Sequence, residues 1–222
     1  MNLTLFDLDG TLIPVDSDHA FGGFMVDVGW VDGAVWGAKN DEFFAQYNAG
    51  TLDLPGYIDF ATSAWRSRPL AEALAMRERF MAEVMRPALR PEARALVEQH
   101  RAAGDLMAMV TATNAFVTEP IAVAFGVEHL IAVNLQRDEA GRYTGAIDGV
   151  PSFREGKIER VQSWLQGLGA QWRDFERVTF YSDSTNDLPL LERVSHPVAT
   201  NPSPALARIA AERGWPQLQL FA

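Results

Sequence analysis

Three short polar clusters in this sequence each follow an apolar run. Asp7-Leu8-Asp9-Gly10-Thr11-Leu12 follows Leu3 to Phe6, Thr111-Ala112-Thr113-Asn114 follows Leu106 to Val110, and Asp183-Ser184-Thr185-Asn186-Asp187 follows Val178 to Tyr181. Acids, hydroxyls and amides grouped in this way suit phosphoryl chemistry, in which carboxylates and fixed donors must handle a highly charged group. An Asp-x-Asp pair followed by glycine is, in isolation, equally a surface turn. Here the first pair comes after a run with no polar alternation, and a second acidic pair, Asp183 and Asp187, recurs after another such run.

The elements that would position these clusters are readable from their boundaries. Leu3 to Phe6 reads as a buried parallel strand delivering Asp7 to its carboxyl end, where open α/β sheets place their ligands. Pro91 and Gly104 bracket a helix. Leu106 to Val110 reads as a second strand, and Thr113 or Asn114 can cap a helix running to Phe125 before Gly126. A strand near Leu130 to Val133 precedes a hairpin centred on D-E-A-G-R. Ile158, Val161 and Leu165 then mark an amphipathic helix from about Glu155. Strands at Val178 to Tyr181, Pro197 to Ala199 and Leu218 to Leu220, with a helix capped by Ser203 ahead of Pro204, complete the series. Strand and helix alternating in this way imply a parallel sheet with helices on both faces. In such a sheet the three clusters converge on one edge.

Composition narrows the partners. The chain has 222 residues, no cysteine, four scattered histidines and a formal charge of -10. Disulfides and thiolate metal sites are excluded, while a carboxylate site for a hard cation stays open. No basic stripe offers a nucleic-acid or anionic-membrane surface, so a small molecule is the expected partner of a monomer or homodimer. The N-terminus lacks a basic n-region and no apolar run approaches the roughly 20 residues of a membrane span, so a cytoplasmic location is expected.

Taken together, the clusters resemble the four motifs of the haloacid dehalogenase superfamily, in its phosphoserine-phosphatase-like branch, over nearly the whole chain. Asp7 to Leu12 match the first motif, Thr111 the second, Lys157 the third, and Asp183 to Asp187 the fourth. The resemblance implies an α/β fold with a Rossmann-like parallel core over residues 1–15 and 86–222, and an inserted all-helical cap over 16–85. It implies a phosphatase in which Asp7 attacks phosphorus, and Asp9 acts as general acid and then general base. A phosphomonoester dianion repels an attacking carboxylate, so the site must supply positive charge. Magnesium and Lys157 are the sources. The metal would be held by the Asp7 and Asp183 carboxylates and by Asp9 through its carbonyl, with Asn186 and Asp187 orienting these ligands. Thr111 and the backbone N–H groups from Ala112 onward would hold phosphate.

The segment from Asp16 to Met85 is rich in aromatics and has no strand signal. In the phosphoserine-phosphatase branch an acid nine positions after the nucleophile holds the substrate ammonium, and a cap arginine holds its carboxylate. Asp16 occupies the first position, whereas alignment through Gly50-Thr51-Leu52 puts Asp59 at the second. Two facing acids would repel phosphoserine and favour an amino-alcohol phosphate such as histidinol phosphate. Arg66 and Arg68 reach the pocket if the alignment slips. Phe21, Phe24, Trp30, Trp36, Phe43, Phe44 and Tyr47 read as cap core, some shaping an apolar wall. His19, His100, His129 and His196 read as surface or packing residues. The competing readings are a phosphomutase using the same two acids, a phospho-accepting signalling module of the receiver type, and a non-catalytic binding relative. The first-strand position of Asp7 and the insertion after it count against the receiver.

Overall fold

The computed structural model describes residues 1–221. The chain runs β1 (Leu3–Phe6), α1 (Ser17–Asp27), α2 (Ala38–Ala49), α3 (Leu54–Arg66), α4 (Leu70–Phe80), α5 (Arg86–Ala88), α6 (Pro91–Ala102), β2 (Leu106–Asn114), α7 (Ala115–Phe125) and β3 (His129–Val133). It continues with β4 (Leu135–Arg137), β5 (Tyr143–Ile147), α8 (Glu155–Gly167), β6 (Val178–Ser182), α9 (Leu188–Arg193), β7 (His196–Thr200), α10 (Pro204–Arg213) and β8 (Gln217–Leu218). The expected elements are present, with two shifts. β2 runs to Asn114 instead of stopping at Val110, and the last strand pairs at Gln217–Leu218, not Leu218 to Leu220. No helix among the described residues is long and apolar enough to cross a membrane.

β1 is buried along its whole length because both of its faces are covered. Leu3 and Leu5 pack into the core beneath α8, α9 and α10, whereas Phe6 joins the larger core of α6, α7 and the cap helices. The parallel sheet has the order β3-β2-β1-β6-β7-β8. Phe6 is in register with Met109 of β2 on one side and Tyr181 of β6 on the other. The three strands that lead into polar clusters are therefore neighbours, with β1 between the other two.

Between Ser17 and Ala88 the regular elements are all helical, and α4 continues through Met81–Met85 into α5. Trp65 of α3 seats this segment on the sheet domain. Its ring stacks on Phe116 of α7 with centroids 4.0 Å apart and meets the Tyr143 ring of the β4–β5 hairpin edge-on.

A polar network ties β1, α6 and β6 together below the site. The Asp105 carboxylate accepts from Asn2 Nδ2 at 3.2 Å, Thr4 Oγ1 at 2.9 Å and His100 Nδ1 at 2.7 Å, and His100 Nε2 meets the Tyr181 hydroxyl at 2.8 Å. Burial alone would raise the Asp105 pKa, but the hydrogen bonds from His100, Thr4 and Asn2 outweigh it and hold the carboxyl below its ordinary range. A depressed folded-state pKa contributes stability above the unfolded pKa of about 3.9 and loses it as pH falls through the folded value. Asp105→Ala is expected to cost about 1–3 kcal/mol at pH 7 in urea unfolding. The gap from the unmodified protein should narrow below about pH 4; a pH-independent gap would refute the electrostatic origin.

Candidate active site

β1 ends at Phe6, and the Asp7 N–H still bonds to the Tyr181 carbonyl at 2.9 Å, so the nucleophile candidate sits rigidly one residue past the strand. Leu8, Leu12 and Ile13 anchor the following turn by burial. Gly10 takes φ 73°, and a Cβ there would lie 2.4 Å from Asp183 Oδ2, so glycine is required both by backbone conformation and by the approach of Asp183. Thr11 Oγ1 lies 3.0 Å from Asp7 Oδ2 and 3.3 Å from Asp183 Oδ1, and accepts the Asp183 N–H at 3.0 Å. One hydroxyl thus holds the acids of the first and last clusters together. From the far side of the loop, the Asn201 side-chain amide donates to the Gly10 and Thr11 carbonyls.

Lys157 enters from the first turn of α8. Its Nζ lies 2.8 Å from Asp7 Oδ1 and 2.7 Å from Asp187 Oδ1, and the residue is 1% exposed. Burial would lower its pKa, but the charges of Asp187 and Asp7 outweigh that and raise it. Ser182 Oγ donates to Asp187 Oδ2 at 2.7 Å, fixing the second carboxylate of the pair. The Asp183 carboxyl is raised well above its ordinary range, first by burial and then by the charges of Asp7 and Asp187.

Asp9 faces the cap. Its Oδ1 accepts the Ser17 N–H at 2.7 Å, at the start of α1, and its Oδ2 accepts from Thr113 Oγ1 at 2.9 Å, with Thr111 Oγ1 at 3.5 Å. Burial, then the charge of Asp16, raises its pKa. Asn114, not Thr113, caps α7 by accepting from the Val117 N–H. Thr113 is consequently free to orient Asp9, a role that sequence reasoning missed.

A cavity opens above these groups between the sheet and the cap helices. Asp7, Asp9, Thr111, Ala112 and Thr113 wall it from the sheet, and Asp16, Asp18, His19 and an aromatic group wall it from the helices. That group comprises Phe43, Phe44, Tyr47 and Tyr57, so part of the aromatic stripe lines the cavity instead of only filling the cap. His19 is likewise on the wall, its ring stacked on Phe44 at 4.5 Å and its Nε2 bonded to Asp41.

Asp16 lies on the cavity as expected, but Asp59 does not. The Asp59 side chain is 65% exposed and ion-paired with Arg66 at 2.6 Å. Helical periodicity is the reason: Ile58, Ala61, Thr62 and Trp65 form the buried face of α3, and Asp59 falls on the other side. Arg66 is held by Asp59 and Thr62, and Arg68 lies over the Trp30 ring, so neither arginine lines the cavity. The second acid on the wall is Asp18, 6% exposed, which accepts from Asn114 Nδ2 at 3.2 Å. Burial, with a further contribution from Asp9, pushes its pKa up to about 7 against the lowering effect of Tyr57. Its only sequence signal was a second acid two residues after Asp16.

Among the described residues no group of three His, Asp or Glu side chains is arranged to hold a metal ion. The donor set instead consists of two carboxylates, Asp7 and Asp183, brought together by Thr11. Asp183 makes no ion pair among the described residues, and Lys157 is shared by Asp7 and Asp187. This excess of buried negative charge fits a hard divalent cation bound between Asp7 and Asp183.

Comparison with known proteins agrees with this geometry. The haloacid dehalogenase-like hydrolase family matches residues 4–192. A histidinol-phosphatase from Neisseria meningitidis serogroup C (strain 8013) is 41% identical over 217 residues, 98% of either chain. The crystal structure of a protein with unknown function from Bordetella pertussis Tohama I superposes with a TM-score of 0.94 at 49% identity over 99% of both chains. A substrate-bound phosphoserine phosphatase superposes with a TM-score of 0.68 at 16% identity, over 97% of this chain and 91% of that one, a likeness of fold.

Lys157→Met is expected to leave Asp7 and Asp187 as uncompensated buried charges. Removing one partner of a buried pair costs about 3–5 kcal/mol. Denaturant unfolding at pH 7 should show a loss of that order, and a change below about 1 kcal/mol, the scale of a surface pair, would contradict the buried geometry.

Proposed function

The chain belongs to the haloacid dehalogenase-like hydrolase family and is a phosphatase, and from that premise we propose that it is magnesium-dependent and hydrolyses a cationic amino-alcohol phosphate, with histidinol phosphate as the favoured ester. The observation that carries the substrate reading is the cavity wall. Opposite the phosphate end it bears Asp16, Asp18 and four aromatic rings, and no arginine or lysine lines it among the described residues. A carboxylate-bearing ester such as phosphoserine would meet like charge there, whereas an ammonium or protonated ring would meet opposite charge and aromatic faces. The name of the Neisseria relative supports the same ester.

In the proposed mechanism an Asp7 oxygen attacks phosphorus. The phosphorus–ester oxygen bond breaks, its electron pair passes to the leaving oxygen, and Asp9 gives that oxygen a proton. The product alcohol departs and Asp7 carries the phosphoryl group. Asp9, now a carboxylate, takes a proton from water as the water oxygen attacks phosphorus. The phosphorus–Asp7 bond breaks, freeing phosphate and restoring the carboxylate. Thr113 and the Ser17 N–H hold Asp9 for both transfers. Thr111 and Ala112 line the cavity, and in this reading the Thr111 hydroxyl and the Ala112 N–H receive phosphate oxygens while Lys157 neutralises part of the charge beside Asp7. Magnesium held by the Asp7 and Asp183 carboxylates and the Asp9 carbonyl would supply the remaining positive charge that lets a dianion approach a carboxylate.

Asp7→Asn is expected to fold and to release no phosphate from any monoester in a molybdate assay; retained turnover would remove Asp7 as nucleophile. Chelation of the metal should abolish turnover, and added magnesium should restore it. In a panel of monoesters, kcat/KM for histidinol phosphate should exceed that for phosphoserine by about tenfold or more, the equivalent of one cationic contact. Phosphoserine as the better substrate would overturn the cationic reading. Mutase chemistry predicts little phosphate release from the whole panel.

A further inference from the structure

Two side chains from the loops that carry the catalytic groups reach across to one end of a cap helix. The Arg154 guanidinium donates to the Gly50 carbonyl, and the Asn186 amide donates to the Tyr47 carbonyl at 3.1 Å. These acceptors lie at the C-terminal end of α2, where the helix leaves through Gly50 at φ 71°. A guanidinium at that end also meets the negative pole of the helix.

Both donors are short distances along the chain from the buried ion pair. Arg154 immediately precedes α8, and its carbonyl accepts the Lys157 N–H at 3.0 Å. Asn186 is followed directly by Asp187. Arg154 is also held at φ 50°, ψ -123°, a backbone conformation that residues with a Cβ avoid and that persists only where surrounding contacts over-determine it. Tyr47 itself carries one of the two clasped carbonyls. Its hydroxyl proton is held on by burial and by the charges of Asp7, Asp187 and Asp183, and its ring packs 6.2 Å from Phe153, beside Arg154.

We propose that Arg154 is a positioning residue that, together with Asn186, clasps the end of α2 onto the segments bearing Lys157 and Asp187. Seating the cap over a bound phosphomonoester and setting the Lys157–Asp187 pair then become one event. The cavity takes its walls from both the cap and the sheet, so a ligand reaching Asp7 passes between the two parts that the clasp joins. The strained Arg154 backbone transmits the docking to Lys157 within a single helical turn.

Arg154→Gly and Arg154→Lys separate positioning from simple stabilisation. Glycine removes the guanidinium while relieving the backbone, and lysine restores a donor. With p-nitrophenyl phosphate as substrate, kcat/KM of Arg154→Gly is expected to fall about tenfold or more, as misplacement of a catalytic group does. The unfolding midpoint should stay near that of the unmodified protein, and Arg154→Lys should recover most of the lost kcat/KM. Inorganic phosphate with magnesium should protect residues 47–54 from limited proteolysis in the unmodified protein but not in Arg154→Gly. The inference is overturned if Arg154→Gly keeps kcat/KM within about twofold of the unmodified protein, if lysine restores nothing, or if phosphate protects the glycine variant equally. None of these readouts depends on the physiological ester. Hydrolysis of p-nitrophenyl phosphate without hydrolysis of histidinol phosphate would sink the substrate reading alone.

Discussion

The buried ammonium of Lys157, held between Asp7 and Asp187, is the interaction on which the site depends. A lysine that is 1% exposed is tolerable only because two carboxylates meet it at 2.7–2.8 Å. Those carboxylates come from the end of β1 and from the loop after β6, and Lys157 comes from α8 packed on the sheet. The pairing therefore requires β1 and β6 to be adjacent and α8 to lie beside them. The sheet order supplies that adjacency.

Around this ion pair the site accumulates more negative charge than the protein itself neutralises. Asp183 stands beside Asp7 with Thr11 between them, and Asp9, Asp16 and Asp18 continue the acidic wall into the cap. Burial and mutual repulsion together raise the affinity of these carboxyls for protons or cations. The imbalance falls into two regions. The excess at Asp7 and Asp183 matches a divalent metal, while Asp16 and Asp18 line the cavity on its cap side. Under the proposed function a cationic leaving group would meet the second region as a metal would meet the first.

Much of the sheet domain was legible because its signals are local. Apolar runs, Pro91 and Pro204 at helix starts, and glycines at helix ends mark nearly every boundary. The cap was legible only as a helical insertion. Asp59 shows why: its side of α3 is decided by which residues of that helix face the sheet domain, and Ile58 and Trp65 claim the buried side. Asp18, Asn201 and the bond of Thr113 to Asp9 escaped notice for a related reason. An acid in a first helical turn, a second threonine after a strand, and an asparagine beyond β7 are ordinary residues until the neighbours they bond to are known.

By itself the sequence pointed to phosphoryl chemistry: Asp7, Asp9 and Asp183 follow strands whose boundaries are written in nearby residues, and Lys157 was singled out by its place in the order of the family motifs. Tertiary structure alone decided what surrounds that chemistry. It put Asp18 and not Asp59 on the cavity wall, gave Thr113 to Asp9, and brought Arg154 and Asn186 onto the end of α2. The physical reason is range. Strand and helix signals act over a few residues, whereas the direction a cap side chain faces is set by packing between segments about a hundred residues apart, such as Gly50 and Arg154.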